Sequence, residues 1–182
     1  MSNANQKFLV LSWNTRGLGD YDKCIVVRDA IQAAAPSVAC LQETKLNEIS
    51  TFKAKTFLPP NLSNNYIFAP SDGVRGGIVT AWDHNLWSVA SPTTSRFSLT
   101  TTLASTISDC DFTLTNVYAP ADHRHSNAFL AELLATLPLV SGPWVIIGDF
   151  NLIRFPDDKN NNNLNLSLMD AFNLCSGSAW RP

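Results

Sequence analysis

Trp144-Val-Ile-Ile-Gly-Asp-Phe-Asn151 is the stretch that indicates the fold of this chain most directly. Residues 144–147 are a compact apolar run, typical of a buried strand, and they lead straight into Gly148-Asp149-Phe150-Asn151. On an extended segment Asp149 and Asn151 point to one face, and Gly148 lets a substrate or a neighbouring backbone come close. A carboxylate beside an amide suits a water-activating base and a group that orients water or phosphate. A simple Asp/Asn turn explains the four residues equally well.

Polar residues follow three other predicted strands in the same way. Asn14 ends the apolar run 8–13, Glu43 follows the run 38–42, and Tyr118 ends the run 112–118. Taken singly, Asn14 is explained as a turn former, Glu43 as a solvated helix cap and Tyr118 as a half-buried strand aromatic. Four such strand ends in one chain indicate a site where the strands stop.

The apolar runs of the chain predict one domain with many short strands. Residues 23–35 repeat apolar side chains at helical spacing, and together with the runs before and after them they form a strand–helix–strand unit. Runs separated by Pro, Gly, Asp and Asn indicate antiparallel strands. These further strands are predicted at residues 66–69, 77–82, 87–90, 98–107 and 112–118.

Two more helices are predicted in the second half of the chain. One runs from Ser126, as its N-cap, to Leu137, with Pro138 ending it. The other contains Leu168, Phe172 and Cys175 at helical spacing and is predicted to end at Ser176-Gly-Ser178. Between the last strand and this helix, residues 160–163 are four asparagines and are predicted to be an exposed loop.

The composition places the chain among ordinary globular domains without naming a function. The 182 residues carry 13 basic and 15 acidic side chains, so the net charge of -2 gives no basic footprint for nucleic acid. No apolar run approaches the ~18 residues of a membrane helix, and residues 1–6 lack a signal core. The four cysteines lack zinc spacing and are expected to be buried thiols of a nuclear or cytoplasmic protein. The histidines at 123 and 125 are expected to be solvated.

Five motifs occur in a fixed order along the chain. They are SWNTRGLG at 12–19, LQETK at 41–45, GG at 76–77, NVYAP at 116–120 and GDFN at 148–151. In this order they resemble the endonuclease/exonuclease/phosphatase superfamily, and they are most similar to the endonuclease domains of plant LINE-type retrotransposons. The resemblance implies a four-layer DNase-like fold of the α/β (α+β) class, in which a two-sheet β-sandwich is flanked by helices.

The resemblance also implies a role for each polar strand end. Glu43 matches the carboxylate that binds an essential divalent metal, Mg²⁺ or Mn²⁺ in its place, and Asn14 matches a residue close to that metal and to the scissile phosphate. Tyr118 matches a phosphate-contacting tyrosine. Asp149 matches the residue that activates water, and Asn151 matches the amide that helps to orient it.

The activity implied is that of a hydrolase: the DNA endonuclease domain of a non-LTR retrotransposon, which nicks DNA by Mg²⁺-assisted phosphodiester hydrolysis. Arg16 either contacts backbone phosphate or simply faces solvent. Two other classes stay open. One is a superfamily phosphoesterase acting on inositol phosphates, sphingomyelin or RNA, and the other is a non-catalytic remnant that only binds a partner or nucleic acid. The oligomeric state is not readable from the sequence.

The sequence departs from the superfamily pattern at its end. The superfamily finishes with further strands, an Asp/Asn motif and a Ser-Asp-His segment, whereas this chain has no histidine after His125 and no acidic residue after Asp170. We therefore expect residues 1–182 to be a single domain that lacks those strands and that segment. Loss of one member of a catalytic unit commonly costs ~10³-fold in rate, so weak or absent activity is expected, together with an exposed sheet edge.

Overall fold

The computed structural model describes residues 8–72, 75–158 and 164–179, so the predicted asparagine loop at 160–163 lies outside the described residues. The strands are β1 Val10–Asn14, β2 Val38–Gln42, β3 Tyr66–Asp72, β4 Arg75–Trp82, β5 Trp87–Thr94, β6 Ser98–Ser105, β7 Asp111–Tyr118 and β8 Trp144–Asp149. The helices are α1 Tyr21–Ala34, α2 Thr51–Phe57, α3 Ser126–Thr136 and α4 Leu166–Ala179.

The strands form two four-stranded sheets of mixed direction. The first sheet has the order β1-β2-β4-β3, and the second has the order β5-β6-β7-β8. β1 and β2 are parallel because α1 crosses between them, and β7 and β8 are parallel because α3 crosses between them. All other neighbouring strands are antiparallel, as predicted. In each parallel pair, both strands deliver their carboxyl ends to the same edge.

The two sheets pack face to face, and helices cover their outer faces. Alternate residues of β2 show this clearly: Val38 and Cys40 pack against Trp87 of the second sheet, whereas Ala39 and Leu41 pack against α1 and α2. α3 and α4 pack together on the outer face of the second sheet. The order of layers is helices, sheet, sheet, helices, which confirms the predicted four-layer sandwich.

α1 begins two residues before the predicted helix and differs from it in its buried face. The Asp20 side chain caps α1 by accepting a hydrogen bond from the Lys23 backbone N–H at 2.9 Å. Ala34, which was expected on the apolar face, is exposed. The helix ends there because Ala35 adopts the left-handed conformation, and Pro36 follows it.

The prediction that Ser126 caps α3 is wrong. Asp122 instead begins a short 3-10 turn at His123–His125 by accepting a hydrogen bond from the Arg124 backbone N–H, and this turn runs directly into α3. Ser126 is thus the first residue of the helix, and its hydroxyl lies 3.4 Å from His123 Nδ1. A polar side chain near a helix start is an ambiguous signal when a turn precedes the helix.

α4 and α2 also differ from the sequence prediction. Leu168, Phe172 and Cys175 are buried as expected, but α4 continues to Ala179, so Gly177 does not end it. α2 was not predicted, because its seven residues are too few to show a helical period. Ser50 caps α2, and Phe57 of its last turn is fully buried under the first sheet.

Three of the four cysteines are buried, and Cys110 is exposed. Burial raises the pKa of the Cys40 thiol to about 12, so it remains protonated and inert. Within the part of the chain that the structure describes, none of the helices combines the length and the apolar character that spanning a bilayer requires.

Candidate active site

The carboxyl ends of β1, β2, β7 and β8 meet at one edge of the sandwich. A hydrogen bond across the gap between the two sheets marks the place: Asn14 Nδ2, at the end of β1, donates to Asp149 Oδ2, at the end of β8, at 2.6 Å. The two residues are 135 positions apart in the sequence. Two of the four predicted strand ends are therefore in direct contact.

Local backbone contacts determine how Asn14 and Asp149 are oriented. Asn14 Oδ1 accepts a hydrogen bond from the Arg16 backbone N–H at 3.0 Å, so its amide nitrogen must face the carboxylate. Asp149 Oδ1 accepts a hydrogen bond from the Asn151 backbone N–H at 3.1 Å. Both carboxylate oxygens thus accept a hydrogen bond, which holds the carboxylate in one position.

Asn151 does not extend the strand, so the prediction that Asp149 and Asn151 alternate on an extended segment is wrong. β8 ends at Asp149, and Asn151 adopts the left-handed conformation with φ 48°. Asn tolerates this conformation better than most residues do. Its Nδ2 donates to the Ala119 carbonyl at 2.8 Å, which connects the chain after β8 to the chain after β7.

Gly148 serves the packing of the two parallel strands. It has φ 139°, and a Cβ at this position would collide with the backbone carbonyl of Val117 on β7. Of the two partners that the sequence left open for Gly148, a substrate or a neighbouring backbone, the structure shows the backbone.

Glu43 lies in a tight turn and is not a helix cap. It has φ 52°, and its carboxylate lies 3.2 Å from the ammonium of Lys45. The loops after β1 and β2 are joined by backbone hydrogen bonds, since Gly17 N donates to the Glu43 carbonyl at 2.6 Å and Leu18 N donates to the Thr44 carbonyl at 2.8 Å. The loop that carries Asn14 and the loop that carries Glu43 are therefore one unit.

Tyr118 lies at the end of β7 within the field of both carboxylates. Its partial burial raises the pKa of the phenol first, and the negative charges of Glu43 and Asp149 raise it further. The phenol is therefore protonated at neutral pH, and a protonated phenol can donate a hydrogen bond. Its ring packs against Leu99 and Ile78.

A buried amide pair lies between the sheets, below the site. Gln42 Nε2 donates to Asn116 Oδ1 at 2.7 Å, and Asn116 Nδ2 donates to the Val79 carbonyl at 2.9 Å and lies 3.2 Å from Thr80 Oγ1. Gln42 and Asn116 are at most 1% exposed. The pair connects β2 to β7, one residue before Glu43 and two before Tyr118. The sequence alone suggested no role for Gln42 or Asn116. The signal that could have identified them is an amide side chain within an apolar strand, because buried amides need hydrogen-bond partners.

A profile of the Endonuclease/Exonuclease/phosphatase family matches residues 11–182. The chain belongs to this family. Its members are generally hydrolytic nucleases and phosphatases and typically depend on a divalent metal. No curated protein sequence matches the chain.

Several solved structures have a similar fold. The AP endonuclease of Leishmania major superposes with a TM-score of 0.69 at 17% identity, over 94% of this chain and 66% of that protein. The AP endonuclease of Archaeoglobus fulgidus gives 0.69 at 16% identity, over 94% and 71% of the two chains. The endonuclease domain of TRAS1, a telomere-specific non-LTR retrotransposon, gives 0.67 at 15% identity, over 94% and 72%. At these identities the likeness shows the DNase-like fold.

The oxygen donors of this family member suit a hard divalent cation. Glu43 offers a carboxylate, and Asn14 offers an amide oxygen. The Lys45 ammonium already lies beside the Glu43 carboxylate, so a positive charge is accepted there. Mg²⁺ is usually bound through one or two carboxylates, with waters and substrate phosphates completing its shell. Among the described residues, three or more His, Cys, Asp or Glu side chains are nowhere grouped closely enough to hold a metal. Glu43 and Asn14 would therefore hold a divalent cation only with waters or substrate oxygens completing its shell.

The remaining candidates lie at the surface of the domain. Arg16 is exposed beside Asn14 and has φ 52°. His123 and His125 are exposed in the 3-10 turn before α3, and the Asp122 carboxylate is paired with Arg124 at 2.6 Å, which lowers the pKa of Asp122. Arg16 is exposed two residues after Asn14, whereas the two histidines belong to a solvated turn.

Proposed function

We propose that this protein is a metal-dependent phosphodiesterase and, more specifically, the DNA endonuclease domain of a non-LTR retrotransposon. The hydrogen bond from Asn14 to Asp149 carries the proposal, because it assembles strand ends of both sheets into one polar site beside Glu43 and Tyr118. Family membership supports hydrolysis of a phosphate ester. The TRAS1 domain and the two AP endonucleases among the similar folds favour DNA over other phosphodiesters.

In the proposed mechanism Asp149 is the base that accepts a proton from the attacking water. Asn14 holds the Asp149 carboxylate in position through its amide N–H, and Asn151 positions it through its backbone N–H. Each oxygen of the Asp149 carboxylate keeps a free lone pair, so a water can donate to the carboxylate without breaking the hydrogen bond from Asn14 or from Asn151.

Further groups would bind the phosphates of the substrate. The protonated phenol of Tyr118 donates a hydrogen bond to a non-bridging oxygen, and the exposed Arg16 contacts a neighbouring backbone phosphate. Glu43 and the Asn14 amide oxygen would hold Mg²⁺, with Mn²⁺ as a substitute. The metal would neutralise charge that develops on the phosphate.

The test is nicking of supercoiled plasmid in Mg²⁺ by the wild-type chain and by Asp149→Asn and Glu43→Gln. We expect slow wild-type nicking, because the hydrogen bonds that reach Asp149 within the described residues come from an amide and a backbone N–H and not from a histidine. Asp149→Asn should reduce the rate at least about 10²-fold, since a general base contributes about 10²–10⁴-fold. Glu43→Gln should also reduce the rate, because it removes the carboxylate that would bind the metal.

Two matched controls have the same change in charge away from the site. Asp111→Asn changes a residue at the opposite end of β7 from Tyr118, and Glu48→Gln changes an exposed residue of the loop before α2. Both should nick as the wild type does. Wild-type nicking equal to that of Asp149→Asn would contradict the proposal and favour a non-catalytic binding role. Release of phosphate from an inositol phosphate or lipid with the plasmid intact would favour the other phosphoesterase class.

A further inference from the structure

Lys45 is a charged residue next to the site, and the proposed mechanism gives it no role. Its Nζ lies 3.2 Å from Glu43 Oε1, and its aliphatic stem lies over Gly17, where a Cβ would come within 3.2 Å of Lys45 Cδ. Gly17 belongs to the loop after β1, and Glu43 belongs to the loop after β2. A single side chain therefore lies against both loops that border the candidate metal position.

The backbone around Lys45 is held in an unfavourable conformation. Glu43 and Lys45 both have positive φ, 52° and 56°, although neither is a glycine. Backbone hydrogen bonds to β4 maintain this turn, since Thr44 N donates to the Gly77 carbonyl and Lys45 N donates to the Gly76 carbonyl, both at 3.0 Å. Such conformations persist only where neighbouring structure enforces them, and they concentrate at functional sites. Here the enforced turn brings the ammonium back beside the carboxylate two residues earlier.

The exposure of this ion pair makes it exchangeable. The side chains of Lys45 and Glu43 are 40% and 20% exposed, so solvent screens the pair and either partner can be rehydrated. The Lys45 ammonium and a divalent cation would need the same carboxylate oxygens. Once Glu43 binds a metal, the flexible lysine stem leaves the ammonium free at the edge of the site, where a phosphate oxygen is the available anion.

We propose that Lys45 is an exchangeable counter-ion of Glu43 and a phosphate-binding residue. Its ammonium holds the Glu43 carboxylate before a divalent metal is bound, and it contacts a backbone phosphate of the nucleic-acid substrate afterwards. The inference rests on the proposed function in two respects, namely that Glu43 is the metal-binding carboxylate and that the substrate is a nucleic acid.

The experiment compares the wild type with Lys45→Met and with Lys55→Met, an exposed lysine of α2 that serves as the matched control. Mn²⁺ affinity is measured without DNA by the electron paramagnetic resonance of free Mn²⁺. Lys45→Met should bind Mn²⁺ about two- to fivefold more tightly, because the substitution removes the ammonium that competes with Mn²⁺ for Glu43. The gain is small because an exposed ion pair is weak. Lys55→Met should match the wild type.

Binding of a short DNA duplex is then measured by fluorescence anisotropy in saturating Ca²⁺ over a range of salt concentrations. Lys45→Met should bind DNA more weakly, and the slope of log K against log salt should fall by about one, as expected for one lost phosphate contact. Damage to the fold would weaken metal binding and DNA binding together. Tighter Mn²⁺ binding combined with weaker DNA binding therefore distinguishes the proposed role of Lys45 from such damage.

Equal or weaker Mn²⁺ binding by Lys45→Met overturns the proposal, as does an unchanged salt slope or the absence of Mn²⁺ binding by all three proteins. The outcome is separable from that of the plasmid assay. If both shifts occur and no protein nicks DNA, the role of Lys45 stands and the proposed cleavage fails. If the wild type nicks but the shifts are absent, the cleavage stands and the role of Lys45 fails.

Discussion

At the scale of single residues, the pKa of Tyr118 depends on two residues that are distant from it in the sequence. The charges of Glu43, which follows β2, and of Asp149, which ends β8, add to the effect of burial in raising the pKa of its phenol. For an acid whose pKa is raised in the folded state, the stabilising contribution is full below the unfolded pKa and is lost as pH rises through the folded value. Ionisation of Tyr118 therefore affects the protein only in the alkaline range.

Alkaline titration of tyrosinate absorbance tests this coupling. The difference between the wild type and Tyr118→Phe isolates one of the three tyrosines, and we expect its pKa to lie above the ordinary tyrosine pKa of about 10. In a Glu43→Gln or Asp149→Asn background the pKa of Tyr118 should be lower, because one negative charge that disfavours the phenolate is removed. Asp111→Asn, at the far end of β7, should leave it unchanged. A midpoint that is insensitive to both site substitutions would show that Tyr118 does not lie between the carboxylates.

At the scale of elements, the pairing of β7 with β8 decides where the Asp149 carboxylate lies. The register places Val117 opposite Gly148 and Tyr118 opposite Asp149. The close approach of the two backbones at Gly148 leaves no room for a side chain. The motif glycine is thus required by strand packing, and the adjacent aspartate depends on that packing for its position.

Gly148→Ala tests the requirement. The substitution combines an unfavourable φ of 139° with a collision against the Val117 backbone, so we expect the free energy of unfolding to fall by about 3 kcal/mol or more. Gly19→Ala is the control, since a Cβ there meets nothing within 4 Å, and its effect should stay within about 0.5 kcal/mol. Urea denaturation measures both. Equal stability of the two variants would mean that β7 and β8 are not so close at this point.

At the scale of the whole molecule, the two sheets are joined by apolar packing and by buried polar side chains. Trp87, Leu103 and Leu114 of the second sheet pack on Val38 and Cys40 of the first. The amides of Gln42 and Asn116 add directional bonds between the sheets below the site. Because buried amides tolerate few arrangements, the pair favours one relative position of the sheets and hence of their strand ends.

Asn116→Ala should destabilise the protein by about 1–3 kcal/mol, because it leaves buried partners of Asn116 without a hydrogen bond. The exposed Asn127→Ala in α3 is the control, with an expected effect within about 0.5 kcal/mol. Urea denaturation at constant pH reports the difference. Should Asn116→Ala be as stable as the control, the amide pair would make no net contribution to joining the sheets.

The sequence alone determined the kinds of element and the residues at their ends. Apolar runs of strand length placed the strands within a few residues, and Asn14, Glu43, Tyr118 and Asp149 were recognised because polar side chains stand where those runs stop. These signals are local, since periodicity and turn residues reflect the environment of each segment. Where local signals were weak or ambiguous, as for the short α2 and the start of α3, prediction failed.

Tertiary structure alone decided how those ends meet. The bond between Asn14 and Asp149 depends on the packing of two sheets, each with its own strand order, and no spacing in the sequence encodes it. The left-handed turns at Glu43, Lys45 and Asn151 exist because neighbouring strands and loops hold them against their intrinsic preference. A site built at such turns takes its geometry from contacts between residues far apart in the chain. The sequence therefore supplied the candidate residues, and the packed sandwich arranged them.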